Sequence, residues 1–219
     1  MPMNKRLIIK KTMEHVRKKM EDDRSGHDWW HVYRVWRAAV HIGKKEKADL
    51  FVVQLGALLH DIADWKLHGN DMAVGPRVAR EWLELLDLDG ETVSHVCDII
   101  ANTSFKGAGV KNRIRTKEGM VVQDADRLDA IGAIGIARAF VYGGMKGRIM
   151  HDPGVKPQPN QTFAAYKRDK GTTINHFYEK LLLVKDRMNT KTAKEMAHGR
   201  HAFMERYLER FYNEWEGKD

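Results

Sequence analysis

Apolar residues recur three and four places apart along nearly the whole chain, and very little of it alternates as a strand would, so the pattern predicts an all-α protein. Leu7, Ile8, Met13, Val16 and Met20 give the first segment one apolar side. A second helix is predicted from about 27 to 43, with Trp30, Val35, Ala38 and Ile42 facing the core and Gly43 ending it. The third, from 46 to about 63, carries Leu50, Val53, Leu55 and Leu58 and delivers the doublet His60-Asp61 near its C-terminal end. Further helices are predicted near 71–87, 91–101, 117–142, 174–184 and 190–215. One stretch breaks the rhythm: 143-GGMKGRIMHDPGVKPQPNQ-161 holds three of the five prolines and four glycines, the composition of a long irregular loop. Such a loop is either a lid over a site or a surface excursion.

At 219 residues, 42% hydrophobic and 31% charged, the chain can bury a substantial core under a solvated surface, and one domain is expected. The single cysteine, Cys97, excludes an intramolecular disulfide and a Cys-rich zinc site and fits a reducing compartment. In MPMNKRLIIKKTMEHVRKK, lysines break the only apolar cluster after three residues, so neither a signal-peptide core nor a membrane span is expected there, and the cytoplasm is the expected location. A formal charge of +8 and a pI near 9.5 suit an anionic partner: nucleic acid, an acidic membrane or a phosphorylated small molecule. Bases interleave with acids in 185-KDRMNTKTAKEMAHGR-200, as on a solvated helical face. With no recognised nucleic-acid module and no aromatic-studded basic loop, nucleic acid is not the expected partner. No internal repeat is present.

Candidate chemistry gathers on three of the predicted helices. His31, His60-Asp61 and Asp126 offer two imidazoles and two carboxylates, a mixed nitrogen and oxygen set suited to a divalent cation that keeps water, and hence to hydrolysis. A lone histidine in an amphipathic helix is ordinarily a core or surface residue. The doublet differs, because VVQLGALLHDIADW is so apolar that two adjacent ionisable groups within it need partners or a metal. Asp126 interrupts another apolar run, VVQDADRLDAIGAIGIA, where the same burial cost applies and an Asp-Arg structural pair through Arg127 is the rival reading. On a continuing helix Asp64 would lie one turn after His60, placed to orient or deprotonate a water. His27, one turn before His31, and its neighbour Asp28 are candidates to line the pocket, with a helix cap an equal alternative for Asp28. Cys97 has no base arranged near it and is expected to pack as a small apolar residue.

The elements HDWWHVYRV, LLHDIAD and QDADRLDAIGAIGIARAF resemble the HD-domain superfamily of metal-dependent phosphohydrolases, specifically its bacterial branch of small stand-alone nucleotide hydrolases. The motif match runs from about 25 to 145, and the tail segments INHFYEKLLLVKDRMNT and AHGRHAFMERYLERF look like that branch as well. The resemblance implies a helical core holding one divalent metal ion through His31, His60, Asp61 and Asp126, manganese foremost, with nickel, iron, magnesium or cobalt as alternatives. Within ADRLD it selects Asp126 over the flanking Asp124 and Asp129, leaving Asp129 for water, substrate or a neighbouring helix. It also implies that the DWK and SFKG segments border the pocket, so that Lys66 and Lys106 meet the substrate's negative charge. Lys146 and Arg148, in the irregular loop, suit a phosphate tail. Binuclear relatives need further histidines between the doublet and the last aspartate; only His68 and His95 occur there, which favours a mononuclear site. His151-Asp152 repeats the doublet but lies in the Gly/Pro-rich loop, a poor mount for the metal. The implied activity is hydrolysis of a nucleotide or related phosphate ester, including cleavage of nucleoside triphosphates to monophosphate and pyrophosphate. The alternative is an HD-fold nucleotide sensor or nucleic-acid-binding module. A homo-oligomer is compatible with either.

Overall fold

The structure, a computed structural model, describes residues 4–21, 28–63, 71–103, 114–158 and 171–218. Nine α-helices and no strand occur among the described residues. In chain order they are α1 (Lys5–Lys19), α2 (Trp29–Glu46), α3 (Leu50–Leu59), α4 (Val74–Leu85), α5 (Gly90–Thr103), α6 (Lys117–Asp129), α7 (Gly132–Met145), α8 (Thr173–Glu179) and α9 (Lys191–Trp215). The all-α expectation holds. None of these helices is by itself long and apolar enough to cross a membrane.

Chain contacts divide the protein into two compact units, the first comprising residues 1–105 and 111–126, the second 106–110 and 127–219. In the first unit α3 is the hub, with α1, α2 and α5 packed on it and α4 laid on α5. Its near-continuous apolar sequence explains this: Val53, Leu55, Leu58 and Leu59 are all fully buried, each worth about 1.5–3 kcal/mol of transfer free energy. Asp49 caps α3 by accepting from the amides of Phe51 and Val52. The Asp49 amide in turn donates to Glu118 at 2.9 Å, tying the start of α3 to the start of α6.

Several local expectations are corrected. Trp30 is 58% exposed, while Trp29 takes the buried position; Ile9 and Thr12 join Ile8 and Val16 in the core, and Leu7 is exposed. Gly43 does not end α2. It lies inside the helix, where a Cβ would sit 3.0 Å from the Leu50 side chain, and the helix is closed four residues later by Lys47 in the left-handed conformation. The helix expected over 46–63 is shorter, running from Leu50 to Leu59, with His60 at its C-cap. The helix expected over 117–142 is two, bent by 64°. Gly132, at φ 77°, makes the break, and the Arg200 side chain packed against it leaves no room for a Cβ.

In the second unit α9 packs on α7, and α7 on α8. Phe177 is fully buried and stacks with Tyr207 at 6.1 Å between ring centroids. The described part of the 143–161 segment is irregular beyond Lys146, as expected, yet it is tied to the start of α8. Thr173 and Ile174 donate to the Ile149 and Met150 carbonyls, Asn175 to that of Val155, and the Gln158 amide to Glu179.

Candidate metal centre

Three helices of the first unit each deliver part of the site. His31 is the third residue of α2, where the N-cap Asp28 accepts a hydrogen bond from the His31 amide at 2.9 Å and so fixes the backbone that carries the ring. The ring itself is fully buried. His60 sits at the end of α3, where the last turn leaves carbonyls unpaired; its Nδ1–H donates to the Ala57 carbonyl at 2.8 Å. That bond assigns the tautomer and leaves Nε2 with a lone pair facing away from the helix. Asp61 follows in the turn, and Asp126 comes from α6, both carboxylates about one quarter exposed.

The donor atoms converge. His31 Nε2 lies 3.3 Å from His60 Nε2, and Asp126 Oδ1 lies 3.5 Å from the first and 3.8 Å from the second. Asp61 Oδ2 stands 3.5 Å from both imidazole nitrogens. Ligands held about 2.1 Å from one cation are about 3.0 Å apart at right angles and about 3.4 Å apart at tetrahedral angles, so the separations among His31, His60 and Asp126 fit a divalent ion. The lone pair of His60 and the two carboxylates are acceptors only, and such a convergence is repulsive unless a proton or cation lies among them. His31, His60 and Asp126 are thus positioned to form a metal site. The buried imidazoles form its floor and the partly exposed carboxylates its rim.

Other anticipated residues fall elsewhere. Asp28 is the helix cap. Asp124 is fully buried. Asp129 turns to Arg138 at 2.7 Å and is buried in the second unit, so its carboxylate is a structural partner of α7 rather than a group left open for substrate. Arg127 donates to the Arg187 carbonyl. Lys146 lies over the Tyr142 ring, and Arg148 belongs to the same second unit. His151 packs edge-on against Phe211, Tyr212 and Trp215, while Asp152 accepts from the Gly154 amide in a turn. Cys97 is buried, with its thiol pushed up by desolvation. His27, Asp64, Lys66 and Lys106 lie outside the described residues. The helical spacing used to place Asp64 does not apply, because α3 ends before His60 and residues 60–63 form a turn and bend. The Ala57 carbonyl was not anticipated, since a backbone group leaves no mark in a side-chain pattern.

The HD domain family matches residues 29–131, a span that begins just before His31 and ends just after Asp126. The chain also shares 40% identity over 201 residues with the YpgQ protein of Bacillus subtilis (strain 168), covering 91% of this chain and 90% of that one. The chain therefore belongs to the HD domain family. Among solved structures it is similar to an HD-superfamily hydrolase from Bacillus thuringiensis, with a TM-score of 0.79 and 43% identity over 98% of this chain and 100% of that chain. It is likewise similar to Bacillus subtilis YpgQ in complex with ADP, with a TM-score of 0.75 and 34% identity over 97% of each chain.

Proposed function

We propose that this protein is a divalent-metal-dependent phosphohydrolase acting on a nucleotide or a related phosphate ester. The observation that carries the reading is the convergence of His31 Nε2, His60 Nε2 and Asp126 Oδ1, with Asp61 Oδ2 beside them, on a volume of cation size. The relative bound to ADP supports a nucleotide as the ligand, and the relative described as a hydrolase supports turnover. His31, His60, Asp61 and Asp126 would hold the ion, manganese first among the candidates. When bound, the ion supplies Lewis acidity that polarises a phosphoryl oxygen and makes hydroxide accessible near neutral pH.

The chain's own residues do the rest. The Ala57 carbonyl keeps the proton of the neutral His60 ring on Nδ1, which leaves Nε2 as the atom that binds. Asp64 orients the attacking water and accepts its proton as the oxygen bonds to phosphorus and the bridging P–O bond breaks. Lys66 and Lys106 are assigned to the charge of the phosphate and His27 to substrate contact. Cleavage of a nucleoside triphosphate to monophosphate and pyrophosphate is the specialisation we favour. The test is turnover of a broad panel of phosphate compounds by metal-stripped protein reconstituted with single divalent ions. Metal-dependent release of phosphate or pyrophosphate is expected. Tight nucleotide binding without turnover across the panel would assign the protein as a sensor instead.

A further inference from the structure

The solvent face of α2 is chemically unlike those of α1, α4 and α9. Those carry pairs of opposite sign one turn apart: Lys10 with Glu14 on α1, Arg80 with Glu84 on α4, Arg210 with Glu214 on α9. From Trp29 to Lys45, α2 contains no acidic residue at all. Its buried side holds His31, Val32, Val35, Ala39 and Ile42, which leaves Trp30, Arg37, His41 and Lys44 aligned on the opposite side at intervals of seven, four and three residues. Lys45 lies next to the row, and all five are exposed. Over fourteen residues the row is about 21 Å long. At its N-terminal end Trp30, 58% exposed, meets Tyr33 edge-on at 5.9 Å between ring centroids.

Lys44 and Lys45 suit the C-terminal end of the helix, but neither Arg37 nor Trp30 gains anything there, and a large indole left in water forgoes its burial. Both features favour an anionic partner that also carries flat, unpaired rings. We propose that the α2 ridge is a docking surface for single-stranded nucleic acid, with Arg37, His41, Lys44 and Lys45 along the phosphates and Trp30, steadied by Tyr33, stacking on a base. A duplex would use the cations but not the indole, because its bases are already stacked. An acidic membrane would require an apolar face to insert, and that of α2 is committed to the core.

The experiment is fluorescence anisotropy of the full-length protein with a labelled single strand of about 16 nucleotides, DNA and RNA in parallel, across a salt series. Replacing Arg37, Lys44 and Lys45 together by Gln should lower affinity more than tenfold and flatten the slope of log K against log salt by about 2. Trp30→Ala should weaken binding at least about fivefold with the slope unchanged. Circular dichroism on each variant checks that the helical content is intact, and Lys44→Gln alone gives a milder second step. Excess ADP should leave the complex in place. The proposal is overturned by absence of binding at low salt, by a triple variant that binds like the parent, or by release with ADP, which would move the strand to the metal centre. Equal affinity for duplex or for phosphatidylserine vesicles, with Trp30→Ala silent, would also overturn it.

Discussion

Asp28 offers the sharpest test of how the site is held, because its side chain accepts from the backbone of a proposed metal-binding residue. Asp28→Ala removes the acceptor for the His31 amide and the negative charge at the N-terminus of α2. The two losses together amount to about 1–2 kcal/mol. For a chain of this size that lowers the melting temperature by roughly 2–8 °C. His31 lies in the uncapped turn, so part of the same ordering must then be supplied when metal binds. If about 1.4 kcal/mol is drawn from binding, the metal dissociation constant rises about tenfold. Asp28→Asn keeps the oxygen acceptor and loses only the charge, so it should stay within a few tenths of a kcal/mol to about 1 kcal/mol of the parent. Thermal melts of the metal-free proteins and calorimetric titration with Mn2+ read the two effects separately. An Ala variant with parental melting and metal affinity would refute the positioning argument. An Asn variant that keeps both but loses turnover would instead place the Asp28 carboxylate in the substrate pocket.

The remaining expectations concern the ion, the substrate charge and pH. Saturating metal, at a hundred times its dissociation constant, should stabilise the parent by about 2.7 kcal/mol; His31→Ala, His60→Ala, Asp61→Ala and Asp126→Ala should lose most of that shift in a melting assay. Asp64→Ala should keep the shift while losing turnover, and disappearance of the shift would move Asp64 onto the ion itself. Steady-state kinetics should show Lys66→Ala and Lys106→Ala lowering kcat/KM well beyond Lys191→Ala or Lys194→Ala, and equal effects would remove the two lysines from the pocket. Burial first, then the cations Lys180 and Arg148, pushes His176 down from 6.5 to about 3. Between those values the unfolded chain binds a proton that the native one does not, so stability is full above pH 6.5 and falls on acidification by up to about 1.4 kcal/mol per unit. Urea midpoints measured across that window should flatten in His176→Gln, and an unchanged slope would show that other groups carry the acid sensitivity.

Periodicity alone placed nearly every helix, because an amphipathic helix must repeat its apolar residues to reach a core. The burial cost of ionisable groups in apolar runs likewise marked His60-Asp61 and the aspartate-bearing run around Asp126 before any geometry was known, while the family resemblance chose Asp126 within that run. What periodicity could not decide was where one good pattern gives way to another. A helix over 117–142 reads as continuous, yet Gly132 adopts a positive φ with Arg200 packed against it, so the chain bends there. Gly43 reads as a stop, yet it lies within α2, with the Leu50 side chain packed where a Cβ would be. The same limit applies at the site. The pattern names imidazoles and carboxylates, whereas their convergence to within 3.3–3.8 Å depends on how three helices pack and on a bond to the Ala57 carbonyl. Spacing along one helix is a local property of the backbone, legible in the sequence. Distances between helices are set by interdigitating side chains from remote positions, and only the tertiary structure contains them.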